Sequence, residues 1–321
     1  MDQFSGITDM PGILAALELY DRDELNQVEQ LLVNVLPEGR QVCTPATLII
    51  SHILMARVAL AHGDCETWQR FLVELERFGQ QSGSLRIQCS AWLERARVAT
   101  LRKHLDVAQL ALRSAQSVSA WEPFEGRWPA GEVDNLLIAY QRLRIAQGNY
   151  NAAVEDLLVA IGNAQANQPL RLQIKLHLLL AMAQDGRKCS RLAMQAFGQA
   201  LRLAGDEGLL RSFIDEGEPV AALLRRWVSR RCGQGDQAIN PQFVAQLLQR
   251  LGIGNRSTAL TERETQVLQL LAFGHRNRVI AQRMFLSECT VKTHLHRINV
   301  KLGARSRSQA LAIARFNGWL E

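Results

Sequence analysis

Apolar residues recur at helical spacing in four long stretches of the first two hundred residues: LIISHILMARVALA (48–61), CSAWLERARVATL (89–101), VDNLLIAYQRLRIA (133–146) and LQIKLHLLLAMA (172–183). Alternating runs rich in Val, Ile, Thr and aromatics, the mark of half-buried strands, are missing, so the pattern predicts an all-α chain. Each stretch ends in a short polar break, AHGDCETW from Ala61, RKHLDVAQ from Arg102, AQGNYNAA from Ala146 and AQDGRKCS from Ala183, and a second helix follows. The breaks fall roughly every 40 residues, within the range of helical-pair repeats. Gly63, Gly148 and Gly186 fit the left-handed position just past a helix end, where the lack of a Cβ removes the steric penalty. One pair cannot bury its apolar face alone, so the pairs are expected to stack into a TPR-like helical-repeat solenoid over residues 1–207, with a concave side open to a partner. A compact irregular bundle is the alternative; the fourfold recurrence of the break favours the solenoid.

The segment WEPFEGRWPAGE (121–132) interrupts the repeats with two prolines and three large aromatics. It fits either a ligand-lining loop or, more simply, a loop that packs its aromatics over neighbouring helices. Residues 208–254 read as a helical connecting segment and linker. The stretch GDEGLLRSFIDEGEPVAALLRRW (205–227) leads into it, the short apolar-periodic FVAQLLQRL (243–251) lies within it, and the polar GIGNRSTA (252–259) runs across its end. Gly233 and Gly235 form a G-x-G fragment, but no strand precedes it and the rest of a dinucleotide fingerprint is missing; no G-x-x-x-x-G-K-[ST] occurs.

Residues 255–321 change character. LTERETQVLQLLAFG offers Thr261 as an N-cap with Glu264 three residues on, a capping box, and Gly274 closes the helix. NRVIAQRMF places Ile280, Ala281 and Met284 on one face, and Ser287 is a good N-cap for a third helix. In that helix Val291, Leu295, Ile298 and Leu302 form one apolar stripe. Cys289, Lys292, Thr293, His296 and Arg297 therefore point away from the core. A helix of this kind fits the major groove with the side chains of its N-terminal half on base edges, although a merely solvated face has the same composition. The fourth helix, SRSQALAIARFNGWL, carries Ala310, Leu311, Ala314 and Trp319, more apolar surface than a small domain needs, which suggests a dimer contact.

Charge separates these readings. Residues 255–321 hold 11 Lys and Arg against 4 Asp and Glu, whereas all preceding residues hold 26 against 27. The net +6 of the chain is thus concentrated in the last segment, the footprint expected of a phosphate-backbone binder. The six cysteines, Cys43, Cys65, Cys89, Cys189, Cys232 and Cys289, show no CxxC or metal-ligand spacing and read as reduced thiols. No apolar run approaches the roughly 18 residues needed to cross a bilayer, and MDQFSGITDMPG lacks the layout of a signal segment, so a cytoplasmic location with no membrane partner is expected. Dispersed histidines, no paired acid or nucleophile motif and no cofactor loop argue against an enzyme, and neither a cofactor nor a metal is expected.

The run L-T-E-R-E-T-Q-V-L, N-R-V-I-A and L-S-E-C-T-V-K-T-H-L-H-R-I-N-V-K-L-G-A-R-S-R-S-Q-A-L resembles the LuxR-type helix-turn-helix DNA-binding domain. G-L-L-R-S-F-I-D-E-G resembles the segment that precedes that domain in MalT-like, large ATP-binding LuxR regulators. The resemblance implies that Lys292, Thr293 and His296 approach bases while Asn277, Arg278, Thr290 and Arg297 hold phosphates. His294 reads as a boundary histidine contacting backbone or phosphate. The last helix, with Ser308, Leu311 and Ala314, is implied to form a dimer interface. Where the family has a small N-cap and an acidic residue around N-K-E-I-A, this chain has Arg276 and Val279, and it is expected to carry no ATP-binding domain. The implied function is a sequence-specific transcriptional regulator that binds double-stranded DNA as a homodimer. It would contact RNA polymerase if it activates, and its repeats would sense an unidentified small-molecule or protein effector. An interaction protein that pairs with a larger LuxR-type regulator, with DNA binding secondary, is the alternative.

Overall fold

The computed structural model describes residues 9–35, 44–116, 135–163, 169–231, 239–253, 262–284, 286–302, 304 and 306–316. Among the described residues all regular structure is helical, as the apolar spacing predicts. Ten helices form five pairs: α1 (Asp9–Asp21) with α2 (Leu25–Val35), α3 (Pro45–Ala61) with α4 (Cys65–Ser82), α5 (Leu85–Leu101) with α6 (Leu105–Gln116), α7 (Leu136–Ala146) with α8 (Tyr150–Gly162), and α9 (Leu170–Gly186) with α10 (Ser190–Gly205). The first helix of each pair packs on the first helix of the next, and the second helix of each pair packs there too. This nearest-neighbour order is that of a solenoid rather than of an irregular bundle.

Every pair turns through the same corner. Asp23, Gly63, Lys103, Gly148 and Lys188 adopt left-handed φ values of 65°, 83°, 62°, 83° and 64°. The next amide in each case donates to the carbonyl five residues earlier, as in Asp64 N to Ala59 O and His104 N to Ala99 O, both 2.9 Å. These are Schellman-type closures that satisfy the last carbonyls of the first helix. The expectation for Gly186 is corrected: it is the final helical residue of α9, and Lys188 takes the left-handed position. Gly186 is needed small for another reason, since a Cβ there would stand 2.3 Å from the Tyr150 ring.

Capping and composition set the layers. Thr44 accepts from Thr47 N ahead of Pro45 at the start of α3, and Asp64 accepts from Thr67 N at 2.9 Å to start α4. Helix α3, apolar on all sides, buries almost every residue from Ala46 to Ala59, whereas amphipathic α4 buries only Leu72, Leu75 and Gly79. First helices are therefore inner elements and second helices outer ones. After the pairs come α11 (Arg211–Ile214), α12 (Glu218–Arg231) and α13 (Pro241–Arg250). Short α11 touches both α1 and α9, the first and last inner helices. Its Phe213 lies edge-on between Phe197 and Phe243, with ring centroids 6.1 and 5.7 Å away.

Contacts divide the chain into two units, Met1–Trp227 with Gln234–Leu247 and Val228–Gly233 with Leu248–Glu321. The first thus takes in α11 and most of α12, beyond residue 207. The second contains α14 (Glu262–Ala272), α15 (Asn277–Met284), α16 (Glu288–Leu302) and α17 (Arg307–Phe316). The loop at 121–132, the G-x-G fragment at 233–235, the linker from 254, Thr261 and Trp319 lie outside the described residues.

Candidate functional site

The second unit builds its core from Val267, Leu268 and Leu271 of α14, Ile280, Ala281 and Met284 of α15, Val291 and Ile298 of α16, and Ala314 of α17. Leu295 and Leu302 pack against the same cluster, so the apolar stripe of α16 faces inward as its spacing predicts. Ser287 caps α16, accepting from Thr290 N at 3.1 Å. The tight turn before it is closed by Leu286 N donating to Ala281 O at 2.9 Å. Arg276 takes the N-cap position of α15, its carbonyl accepting from Ile280 N at 3.1 Å. A guanidinium has no acceptor, so no side-chain cap is made by Arg276.

On the face of α16 opposite the core, Lys292, Thr293 and His296 are exposed. Arg278 is exposed on α15, Asn277 is half-buried at its start, and the Thr290 hydroxyl lies 2.8 Å from the Ser287 hydroxyl. Arg297 falls in α16, but its side chain lies outside the described residues, as do those of Cys289 and Ser308. His294 is half-buried and its Nδ1 is enclosed without a hydrogen-bond partner. Two contacts brace the helices of this unit. Lys301 Nζ, in the last turn of α16, donates to Glu264 on α14 at 2.5 Å, with that carboxylate 3% exposed. Arg307 donates to His275 O at 2.6 Å and ties α17 to the α14–α15 turn.

The expected dimer contact needs a correction at Ala314. Ala310 and Ala314 are fully buried in their own domain, and Leu311 packs against its core. Ala314 has no exposed surface to offer a second copy.

The repeat unit holds a charged network that apolar periodicity does not reveal. Arg57, Arg97 and Arg142 stand at the same place in three successive pairs, six residues before the left-handed corner. All three are buried and converge on carboxylates. Glu94 accepts from Arg57 Nε at 3.0 Å and from Arg97 Nε at 2.9 Å. Glu216 accepts from Arg142 Nε at 2.9 Å and from its second nitrogen. Asp215 accepts from Tyr20 Oη at 2.8 Å and Arg211 Nη1 at 3.2 Å, while Arg211 Nε also donates to Asp23 at 2.6 Å. Burial works to raise these carboxyls, yet the arginines prevail: Arg57 and Arg97 hold Glu94 below its ordinary range, Arg97 and Arg211 do so for Asp215, and Arg142 for Glu216. Tyr20 is pushed up by burial and by Asp215. Lys175 on α9 is pushed down to about 8, first by desolvation and then by Arg57 and Arg142. Aligning the polar breaks would have exposed the arginine register; the carboxylates of Asp215 and Glu216, far along the chain, carry no such signal.

Comparison with known proteins agrees with this division. Residues 2–230 match the family model described as the MalT-like TPR region, and residues 258–314 match that of bacterial regulatory proteins of the luxR family. The chain is similar to the HTH-type transcriptional regulator MalT of Yersinia enterocolitica, 26% identical over 318 residues, covering 89% of this chain and 33% of the relative. It is similar to the HTH-type transcriptional regulator AlkS of Pseudomonas putida, 28% identical over 202 residues, covering 61% and 22%. Its last segment is similar to the uncharacterized transcriptional regulatory protein YxjL of Bacillus subtilis, 53% identical over 58 residues, covering 18% and 27%. The chain thus spans between about a fifth and a third of the length of these curated relatives. No solved structure matches it.

Proposed function

The chain belongs to the family with a MalT-like TPR region and ends in a luxR-family regulatory domain, and from that premise we propose that it is a sequence-specific DNA-binding transcriptional regulator acting in the cytoplasm. The observation that carries this reading is the exposed trio Lys292, Thr293 and His296 on α16, a helix whose other face is the domain core. Their place in the N-terminal and middle turns suits base edges in a major groove. Asn277, Arg278, Thr290 and Arg297 are the phosphate contacts of this reading, and they fix register rather than sequence. His294, with Nδ1 enclosed, has only its other ring nitrogen to offer a phosphate. Two copies, meeting through the α17 region around Ser308 and Leu311, would place recognition helices about 34 Å apart in successive grooves. Among the described residues no helix is long and apolar enough to cross a membrane.

The repeat unit serves as the sensor: an effector on its inner side alters DNA binding through the connecting segment. The test is selection of sites from a random DNA pool by the full chain, alongside a Lys292→Ala, His296→Ala double variant. A near-palindromic motif that the variant fails to enrich is expected. On that motif Lys292→Ala should cost about 1–3 kcal/mol and relax preference at one base position. Arg278→Ala should weaken all sequences alike and lower the salt slope by about one. Equal, sequence-independent losses in both variants would overturn Lys292 as a reader, and no enrichment by the unaltered chain would overturn autonomous DNA reading.

A further inference from the structure

The inner side of the repeat unit encloses a cavity of about 780 Å³, within the usual size of small-molecule sites. Most of its wall is apolar, with Leu60, Leu101, Ile145 and Met182 coming from the ends of four inner helices and Ile214 and Leu223 from the connecting segment. Six cations and four carboxylates also reach it. The carboxylates are all engaged: Asp185 with Arg226, Asp215 with Arg211, Glu216 with Arg142 and Glu218 with Arg225. The four arginines at the wall are engaged as well, Arg57 and Arg97 with Glu94, Arg142 with Glu216, Arg211 with Asp23. Lys103 and Lys188 remain. Both are exposed at the cavity wall, and neither has an ion-pair partner among the described residues.

The backbone gives these two lysines a second distinction. They occupy the left-handed corner position, with φ of 62° and 64°, that Gly63 and Gly148 fill in two sister pairs and Asp23 in the first. A Cβ is disfavoured there, so the corner itself asks for glycine. Complementing the helix dipole does not call for them, because Arg102 and Arg187 already stand at the C-caps of α5 and α9. What lysine adds at both corners is a positive charge beside one apolar cavity.

We propose that this cavity binds an organic anion with a sizeable apolar body, its carboxylate or similar headgroup met by Lys103 and Lys188 and its body lying against Leu60, Leu101, Ile145 and Met182. The assignment names the effector class for the sensor reading given above and rests on it for its biological use, but not for the binding itself. A neutral sugar-like ligand would leave both lysines unanswered, and a cation would be repelled by them.

The experiment is isothermal titration of the full chain with decanoate, decanol and decylammonium, repeated on a Lys103→Gln, Lys188→Gln double variant and on Met182→Trp, which fills the cavity. Decanoate should bind at least about tenfold more tightly than either matched ligand. The double variant should lose about tenfold for decanoate while binding decanol unchanged, and Met182→Trp should weaken both. Circular dichroism checks that each variant keeps its helices. Equal affinity for the three ligands, absence of decanoate binding to the unaltered chain, or a decanoate affinity indifferent to both variants overturns the proposal. Decanoate binding that leaves affinity for the selected DNA unchanged keeps the anion site and removes the sensor reading, so the two fail separately.

Discussion

Lys175→Met is expected to stabilise the repeat unit at neutral pH, the reverse of the usual result of deleting a charge from an ion network. Among the described residues the network sets six cations, Arg57, Arg97, Arg142, Arg171, Lys175 and Arg211, against five carboxylates, Asp21, Asp23, Glu94, Asp215 and Glu216. Desolvation and the neighbouring Arg57 and Arg142 bring the ammonium from 10.5 to about 8. That gap corresponds to about 3 kcal/mol, which the residual exposure of the half-buried side chain reduces to about 1–3 kcal/mol. Between pH 8 and 10.5 the unfolded chain holds the proton and the folded chain does not, so folding stability rises with pH across that window. Below pH 8 the whole penalty applies. Methionine escapes it, so its advantage should be full near pH 7, shrink through the window and vanish by about 10.5. Urea unfolding followed by far-ultraviolet circular dichroism at pH 7, 8.5 and 10 measures the offset. A variant less stable than the parent at pH 7, or one with the same offset at all three values, refutes the reasoning.

Glu94→Gln should be severe, because it leaves Arg57 and Arg97 buried without their shared charge; a loss of about 3–5 kcal/mol is expected in the same unfolding assay. On acidification, Glu94 and Glu216, whose ordinary value is 4.5, and Asp215, at 3.8, should keep their contribution above those values and lose it as pH falls through their lower folded values. Asp21, raised by burial, takes up its proton first and works the other way, so a repeat unit that loosens above pH 5 would contradict the assignment. Gly186→Ala should destabilise by about 1–3 kcal/mol through collision with the Tyr150 ring. In a Tyr150→Ala background the same change should become stabilising by about 0.5–1 kcal/mol, since alanine is the better helix former, and an unchanged effect there would rule out the collision.

How far the sequence led depended on whether a feature was local. The inner helices were legible because Leu48 to Ala61 and its three counterparts are apolar at helical spacing, and the stripe Val291, Leu295, Ile298, Leu302 gave the orientation of α16 directly. The pair α1 and α2 was less legible because its corner, Asp21 to Glu24, carries no glycine and follows no long apolar run like the four quoted ones; Asp23 adopts the left-handed conformation there. Gly186 misled for the converse reason, a glycine near a break that serves a side-chain contact rather than a turn. In the fourth helix of the small domain, spacing shows which residues are apolar but not which of them the domain itself covers; Ala310 and Ala314 are fully buried there.

The arginine register shows what the connecting segment contributes to the repeats. Three inner helices each bring a buried arginine to the same side, and such a row would be self-repelling if left to itself. Glu94 answers two of the arginines from within the repeats, but Arg142 is answered by Glu216 and Arg97 also reaches the Asp215 carbonyl, both contributed by the residues just after α11. Those residues are held in turn by Leu209, Leu210 and Phe213, all buried in the same unit. RSFIDEG is therefore an integral part of the repeat core, and it also forms one wall of the cavity through Ile214, Asp215 and Glu216. A molecule bound there would lie against the same stretch of chain that continues in sequence into α12, so a ligand in the cavity and the fold of the repeat core draw on the same residues.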